Sequence, residues 1–260
     1  MSMRGLACAV CFVACGVISA WPALPTPLLY LPFDEGSGPI VADHSGNGAD
    51  AELFGSTDWT DRPGGGSAVE FGEVAWAEVP HDDMLHLTEA MTVACWARID
   101  GDFGDQQMAI EKGPVWGPGE YSLLPDFEDR TLFQANDLPE GCDDELRGPD
   151  IRDGAWHHLA GTYDGIFLRI YVDGLLQEDP AEPAFPVEIP CEGDILTNDD
   201  PIYIASRGGT TRWTMGAYDD IAIFGEALNA AEVMELTRGI PDPVNPAGRV
   251  VRTWASLKAR

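Results

Sequence analysis

The residues of this 260-residue chain best suited to chemistry are its carboxylates, a pair of adjacent histidines and a few tryptophans. Retaining hydrolysis at a sugar carbon needs two carboxyl groups held about 5 Å apart. Glu70, Glu73 and Glu78 are close in sequence but do not fall in an alternating pattern. Asp143, Asp144 and Glu145 are consecutive, and on a strand consecutive residues face opposite sides. His157 and His158, beside Trp156, offer acid–base or metal chemistry; the alternative is a packed aromatic with one satisfied imidazole. No Ser-His-Asp arrangement is visible, and Gly64-Gly65-Gly66 lacks the Lys-Ser/Thr of a phosphate loop. A hard cation takes several oxygen ligands. Asp43 lies in a Gly-rich turn and Asp219-Asp220 opens the last strand, so both places offer carboxylates. The plainer readings are an Asx-turn at Asp43 and a loop cap at Asp219. Trp59, Trp76, Trp116 and Trp213 are candidates for stacking on sugar rings. Trp116 and Trp213, in Gly-rich loops, make the better pair, while Trp76 alternates within a strand and suits a core.

The elements that would position these groups are mostly strands. Gly (29) and Pro (20) punctuate short apolar runs along the whole length, the pattern of an all-β sandwich. Strands are expected at 28–33, 68–71, 75–79, 91–99, 107–111, 121–124, 131–134, 157–163, 167–172, 202–205 and 218–224. Pro32 marks the first as an edge, and Asp173-Gly174 signals a tight hairpin. One short helix is expected late, capped by Asn229 with Glu232 three residues on, and ended by Gly239 and Pro241. Acidic segments around 136–153 and 178–201 read as long loops, which are functional or disordered.

The formal charge of −29 excludes nucleic-acid binding through a phosphate-neutralising patch. Residues 1–20 read as a secretory signal peptide, with Arg4 before an uncharged run and Ile18-Ser19-Ala20 suited to cleavage; lipidation at Cys15 is a minor alternative. No later segment is apolar enough to span a bilayer. The domain is expected over 21–240. Residues 241–260 follow as a Pro-containing linker and a basic amphipathic tail, in which Val250, Val251, Trp254 and Leu257 share a face; the tail is a candidate for cell-surface docking. In an oxidising compartment one disulfide is expected between Cys142 and Cys191, both in acidic loop sequence, while Cys95 reads as a buried small hydrophobe.

Several segments in order resemble LamG-like jelly-roll domains: Phe33-Asp34-Glu35-Gly36-Ser37-Gly38, Asp43-His44-Ser45-Gly46-Asn47-Gly48, Thr92 to Trp96, Trp156 to Gly165, Tyr171-Val172-Asp173-Gly174, Asp219 to Phe224, and Ala227 to Val233. The resemblance spans 28–238 and implies two antiparallel sheets packed as a laminin-G/pentraxin-like jelly roll of the concanavalin A-like lectin/glucanase superfamily. The tail resembles endings of secreted bacterial proteins of this type. In such domains a structural calcium joins the early Asp turn to the late strand, which carries over to Asp43 and Asp219, with Asp34, Asn47 and Asp220 beside them. Related laminarinase-type glucanases carry catalytic carboxylates alternating on one strand, and no such run occurs here. The resulting expectation is a secreted, non-catalytic module that recognises a glycan or an extracellular protein. The alternatives are a polysaccharide-active hydrolase or lyase, and a structural component of an extracellular assembly.

Overall fold

A computed structural model describes residues 23–62, 65–101, 106–136, 138, 145–177, 189–190 and 192–240. The leader-like segment with Cys15, both Cys142 and Cys191, and the tail from 241 lie outside the described residues.

The strands, in chain order, are β1 (Leu29–Leu31), β2 (Ile40–Val41), β3 (Ala51–Phe54), β4 (Thr57–Asp61), β5 (Ser67–Phe71) and β6 (Trp76–Val79). They continue with β7 (Met91–Ile99), β8 (Ile110–Lys112), β9 (Tyr121–Leu124), β10 (Leu132–Ala135), β11 (Glu145–Arg147) and β12 (Trp156–Tyr163). The set closes with β13 (Phe167–Val172), β14 (Leu175–Leu176), β15 (Ile189–Pro190), β16 (Ile202–Ile204) and β17 (Gly216–Phe224), followed by α1 (Ala230–Leu236). They form two antiparallel sheets, a jelly-roll sandwich. One sheet has nine strands with the backbone order β14-β13-β12-β7-β17-β5-β4, β1 flanking β17 and β15 flanking β13. The other has eight, in the order β11-β10-β9-β8-β16-β6-β3-β2. No helix among the described residues is long and apolar enough to cross a membrane.

Alternation builds the core. In β7, Met91, Val93, Cys95, Ala97 and Ile99 point inward and are fully buried. Facing them across the sandwich are Ile110, Leu123, Phe133, Ile202 and Ile204 of the eight-stranded sheet. The sheets approach so closely at Gly161 that a Cβ there would come 2.1 Å from the Phe133 ring. Cys95 is buried, and burial pushes its thiol pKa up, so it is a packing residue.

The helix seals part of the opposite, outer face of the nine-stranded sheet. Val233 and Leu236 sit with Tyr30, Ala94, Tyr171 and Phe224 in a second apolar cluster, a buried valine or leucine side chain contributing about 1.5–3 kcal/mol. Its start is the expected capping box: Asn229 Oδ1 accepts from the Ala231 and Glu232 N–H groups, and Glu232 accepts from the Asn229 N–H. The Asp173-Gly174 hairpin is also as expected. Both residues have positive φ, +53° and +76°, which fits the two-residue turn joining β13 to β14.

The differences are local. β2, β3, β4, β11, β14 and β15 were not foreseen, β11 and β15 falling in segments read as long loops: β2, β14 and β15 are two residues long, and β4 reads Thr-Asp-Trp-Thr-Asp, with no apolar alternation to reveal it. Trp156, read from the sequence as a packed aromatic, is not part of the core between the sheets. It lies instead on the outer face of the nine-stranded sheet, paired with Arg98, whose guanidinium lies 5.7 Å from its ring.

Candidate functional site

The expected cation ligands are held by protein donors. Gly46 and Gly48, with φ of +94° and +79°, curl the chain around Asp43 in a conformation side-chain-bearing residues rarely adopt. Asp43 Oδ1 accepts from the N–H groups of Tyr30 (3.0 Å) and Ser45 (2.9 Å). Its Oδ2 accepts from Ser45 Oγ and from the N–H groups of Gly48 and Ala49. Burial alone would raise its pKa, but these bonds hold it below the usual carboxylate range. The Asx-turn is therefore the role the geometry shows. Asn47 Nδ2 donates to the Leu28 carbonyl, and Asp34 Oδ1 accepts from the Ser67 N–H.

Asp219 and Asp220 sit on a β-bulge of β17, where the register with β7 shifts between Asp219 and Ala222 and Asp220 has φ of +49°. A bulge re-aims side chains, and here Arg62 takes both carboxylates, its Nη1 lying 2.6 Å from Asp219 Oδ2 and 2.5 Å from Asp220 Oδ2. The Tyr30 hydroxyl donates to Asp220 Oδ1 at 2.7 Å. The guanidinium also lies 4.6 Å from the Trp96 ring centroid, and the Trp96 edge meets buried His158. Burial and repulsion from Asp220 push Asp219 up to about 8 despite Arg62, and burial beside Arg62 holds His158 down at about 3, neutral at physiological pH. A calcium ion does not fit this arrangement. Arg62 already supplies the positive charge between Asp219 and Asp220, and the oxygens of Asp43 are spent on N–H and O–H donors.

A second carboxylate pair was missed from sequence. A single polar row crosses the outer face of the eight-stranded sheet, running Glu52, Glu78, Tyr203, Glu111, Ser122, Gln134 and Glu145 from strand to strand. At its centre Glu111 is fully buried, as is Glu120 just before β9. Arg207 bonds Glu111 through Nε at 2.6 Å and reaches Glu120 Oε1 at 3.3 Å. Burial, and then the hydrogen bond and charge of Glu111, push Glu120 up to about 10, so Glu120 keeps its proton at neutral pH. The links 113–119 and 206–212 close over this region: Gly208 packs against Pro114, and Gly209 lies so close to the Trp76 ring that a Cβ would stand 2.7 Å from it. The spacing of 111 and 120 carries no signal that their side chains meet.

The aromatic candidates separate. Trp76 stacks on Phe54 at 5.0 Å beneath Gly209, and Trp59 anchors a loop by donating to the Gly38 carbonyl. Trp116 is 39% exposed in the β8–β9 link. Trp213 lines a cleft of about 460 Å³ with Glu73, Val74, Gln106, Gln107, Arg212 and Met215, and Trp116 is not part of that lining. These residues come from the β5–β6, β7–β8 and β16–β17 links, the places where the chain crosses from one sheet to the other. The walls are stitched to the sandwich. Gln107 Nε2 donates to buried Asp126, and the Met215 N–H donates to Gln107 Oε1. Thr214 Oγ1 donates to the Met108 carbonyl, fixing the backbone next to Trp213. Val74 and Arg212 on the rim hold positive φ of 55° and 53°, a cost that surrounding structure must offset.

Comparison with known proteins adds the family. Residues 71–234 match the model of the Laminin_G_3 family, of the concanavalin A-like lectin/glucanases superfamily. The chain belongs to this family. No curated protein matches the Laminin_G_3 chain in sequence. Among solved structures, the binding domain of Paraclostridial Mosquitocidal Protein 1 superposes with a TM-score of 0.64 at 15% identity, covering 82% of this chain and 52% of that one. Domain 4 of AbnA, an extracellular GH43 arabinanase from Geobacillus stearothermophilus solved with arabinotriose, gives 0.61 at 16% identity over 82% of this chain and 98% of its own. The botulinum neurotoxin serotype G binding domain gives 0.60 at 16%, covering 82% and 50%. The Laminin_G_3 chain thus spans about half the length of the toxin binding domains it matches. At these identities the likeness is one of fold.

Proposed function

We propose that this protein is a non-catalytic recognition module that takes a short neutral saccharide in the cleft lined by Trp213. The observation that carries this reading is the cleft itself: an indole on its wall, the amide of Gln106 and the carboxylate of Glu73 around it, and a volume of about 460 Å³ in the range of ligand pockets. An apolar ring face beside a few hydrogen-bonding groups is what a pyranose or furanose needs. The charge of −29 disfavours acidic glycans. Arabinotriose bound to a domain of the same fold supports the class of ligand. Secretion, with surface association through the basic tail, follows the leader-like start and the composition of 241–260. The glucanase alternative would rest on Glu111 and Glu120, whose complete burial leaves them no face toward a substrate.

The test is a calorimetric or tryptophan-fluorescence titration of a panel of neutral oligosaccharides. Binding is expected, with Trp213→Ala weakening it at least tenfold and Trp116→Ala leaving it unchanged. Silence across the panel, or full binding by Trp213→Ala, overturns the proposal and directs attention to an extracellular protein partner.

A further inference from the structure

Two histidines and two aspartates converge at a place that neither the sequence motifs nor the saccharide cleft uses. The β6–β7 link carries a short 3-10 turn, Asp83–Leu85, capped by Asp82, whose carboxylate accepts from the Met84 N–H. His81 enters the turn and His86 leaves it. The His86 N–H donates to the Asp83 carbonyl, which folds the two rings toward each other with centroids 4.9 Å apart. One ligand atom each from His81, Asp83 and His86 lie within 4.8 Å of one another. Asp199, from the link before β16, reaches in from the other side: its Oδ1 is 3.3 Å from His86 Nε2 and 3.6 Å from His81 Nε2. Asp83 Oδ1 is 3.4 Å from His81 Nε2.

Those separations have a meaning. Donors 2.0–2.2 Å from a tetrahedral ion stand roughly 3.3–3.6 Å apart, and zinc takes imidazole nitrogens and carboxylate oxygens at those bond lengths. Three of the spacings here, 3.3, 3.4 and 3.6 Å, fall in that window. The backbone carrying Asp199 is held at several points, one of them His86 itself, whose Nε2 lies 3.1 Å from the Asn198 carbonyl. Buried Lys112 donates to the carbonyls of Asn198 and Asp200 on either side of it, Asp200 N–H donates to Asn198 Oδ1, and Asn198 Nδ2 donates to the Pro118 carbonyl. Lys112 Nζ also lies 3.4 Å from His81 Nδ1.

We propose that His81, His86, Asp83 and Asp199 form a four-ligand site for a borderline divalent metal of the zinc class, which clamps the β6–β7 link to the link before β16. Four protein ligands leave no open position, so the metal's role is structural. Mixed imidazole and carboxylate donors favour zinc over calcium, which takes six or more oxygens.

The test uses the purified full chain after chelator treatment, titrated calorimetrically with zinc and, separately, with calcium and magnesium. One zinc per chain is expected, with a rise of several degrees in Tm. His81→Ala and His86→Ala should each bind at least tenfold more weakly, and calcium and magnesium should produce neither effect. Because a histidine variant can fail to fold, Asp199→Asn and zinc-edge X-ray absorption of the unmodified protein accompany them; the spectrum should show two imidazole ligands. Absence of zinc binding, equal binding of calcium, undiminished binding by both histidine variants, or a spectrum without imidazole overturns the proposal.

Discussion

The outer faces of the two sheets solve one electrostatic problem in two ways. On the nine-stranded sheet Arg62 holds Asp219 and Asp220; on the eight-stranded sheet Arg207 holds Glu111 and Glu120. Each cluster has two carboxyl groups for one guanidinium, and in each one carboxyl keeps its proton well above the ordinary range. The surroundings differ. Arg62 and Asp220 keep 17% and 15% of their side-chain surface in water, beside an open hollow shared with Asp34 and Asp61. Glu111 and Glu120 keep none, and Arg207 keeps 11%. The same charge count is thus a solvated lock in one place and a sealed one in the other, and the energetic consequences scale with sealing.

The largest separation should come from removing the cation. Arg207→Met leaves two buried carboxyls with no positive partner and is expected to cost about 3–5 kcal/mol. Arg62→Met, with water able to reach its site, should cost about 1–3 kcal/mol, the range of a charged hydrogen bond. Chemical denaturation of both variants measures the gap. Equal losses would mean that sealing does not distinguish the two clusters.

These clusters also show what a sequence displays and what it hides. Asp219 and Asp220 are adjacent, and their place in the last strand was visible, although β17 begins at Gly216 and holds them at its middle rather than at its start; the bulge that turns both toward Arg62 was not visible, because it depends on register with β7. Glu111 alternates outward in β8, which by pattern alone means solvent. Its burial comes from the links 113–119 and 206–212 folding back over the sheet, a tertiary event without local signature. The same holds for Asp199, brought to His81 and His86 by topology alone. Where local rules act alone, as in Met91–Ile99, Phe167–Val172 and the Asn229 capping box, expectation and structure coincide. Trp213 lies between: a Gly-rich loop pointed to it, but only the crossing of three links between sheets makes its cleft.

A finer separation lies in pH. A carboxyl whose pKa rises on folding gives stability that is complete below its unfolded pKa and is lost as pH rises through the folded value. For Asp219 the window runs from 3.8 to about 8; for Glu120 it runs from 4.5 to about 10. Removing the proton requirement should therefore help at high pH. Glu120→Gln is expected to gain on the wild type by about 2 kcal/mol or more between pH 5 and 8, and to go on gaining above pH 8. Asp219→Asn should gain less and level off near pH 8. Paired melting curves across pH 4–10 read both, and parallel curves for variant and wild type would remove the retained protons from the account.

The smallest effect concerns calcium. If Arg62 does the work a divalent ion would otherwise do between Asp219 and Asp220, calcium has nothing to neutralise in the wild type, and its Tm should not move with millimolar calcium after chelator treatment. Arg62→Ala changes this. The variant exposes Asp34, Asp219 and Asp220 to one hollow with their repulsion uncompensated, and oxygen-only donors of that kind suit calcium better than zinc. Calcium should then restore part of the lost stability, on the order of 1 kcal/mol at a concentration several times the dissociation constant. Zinc, bound at His81 and His86, should raise both proteins equally. A calcium response in the wild type as large as in Arg62→Ala would show that the arginine does not stand in for the ion, and that the cation site lies elsewhere in the acidic surface.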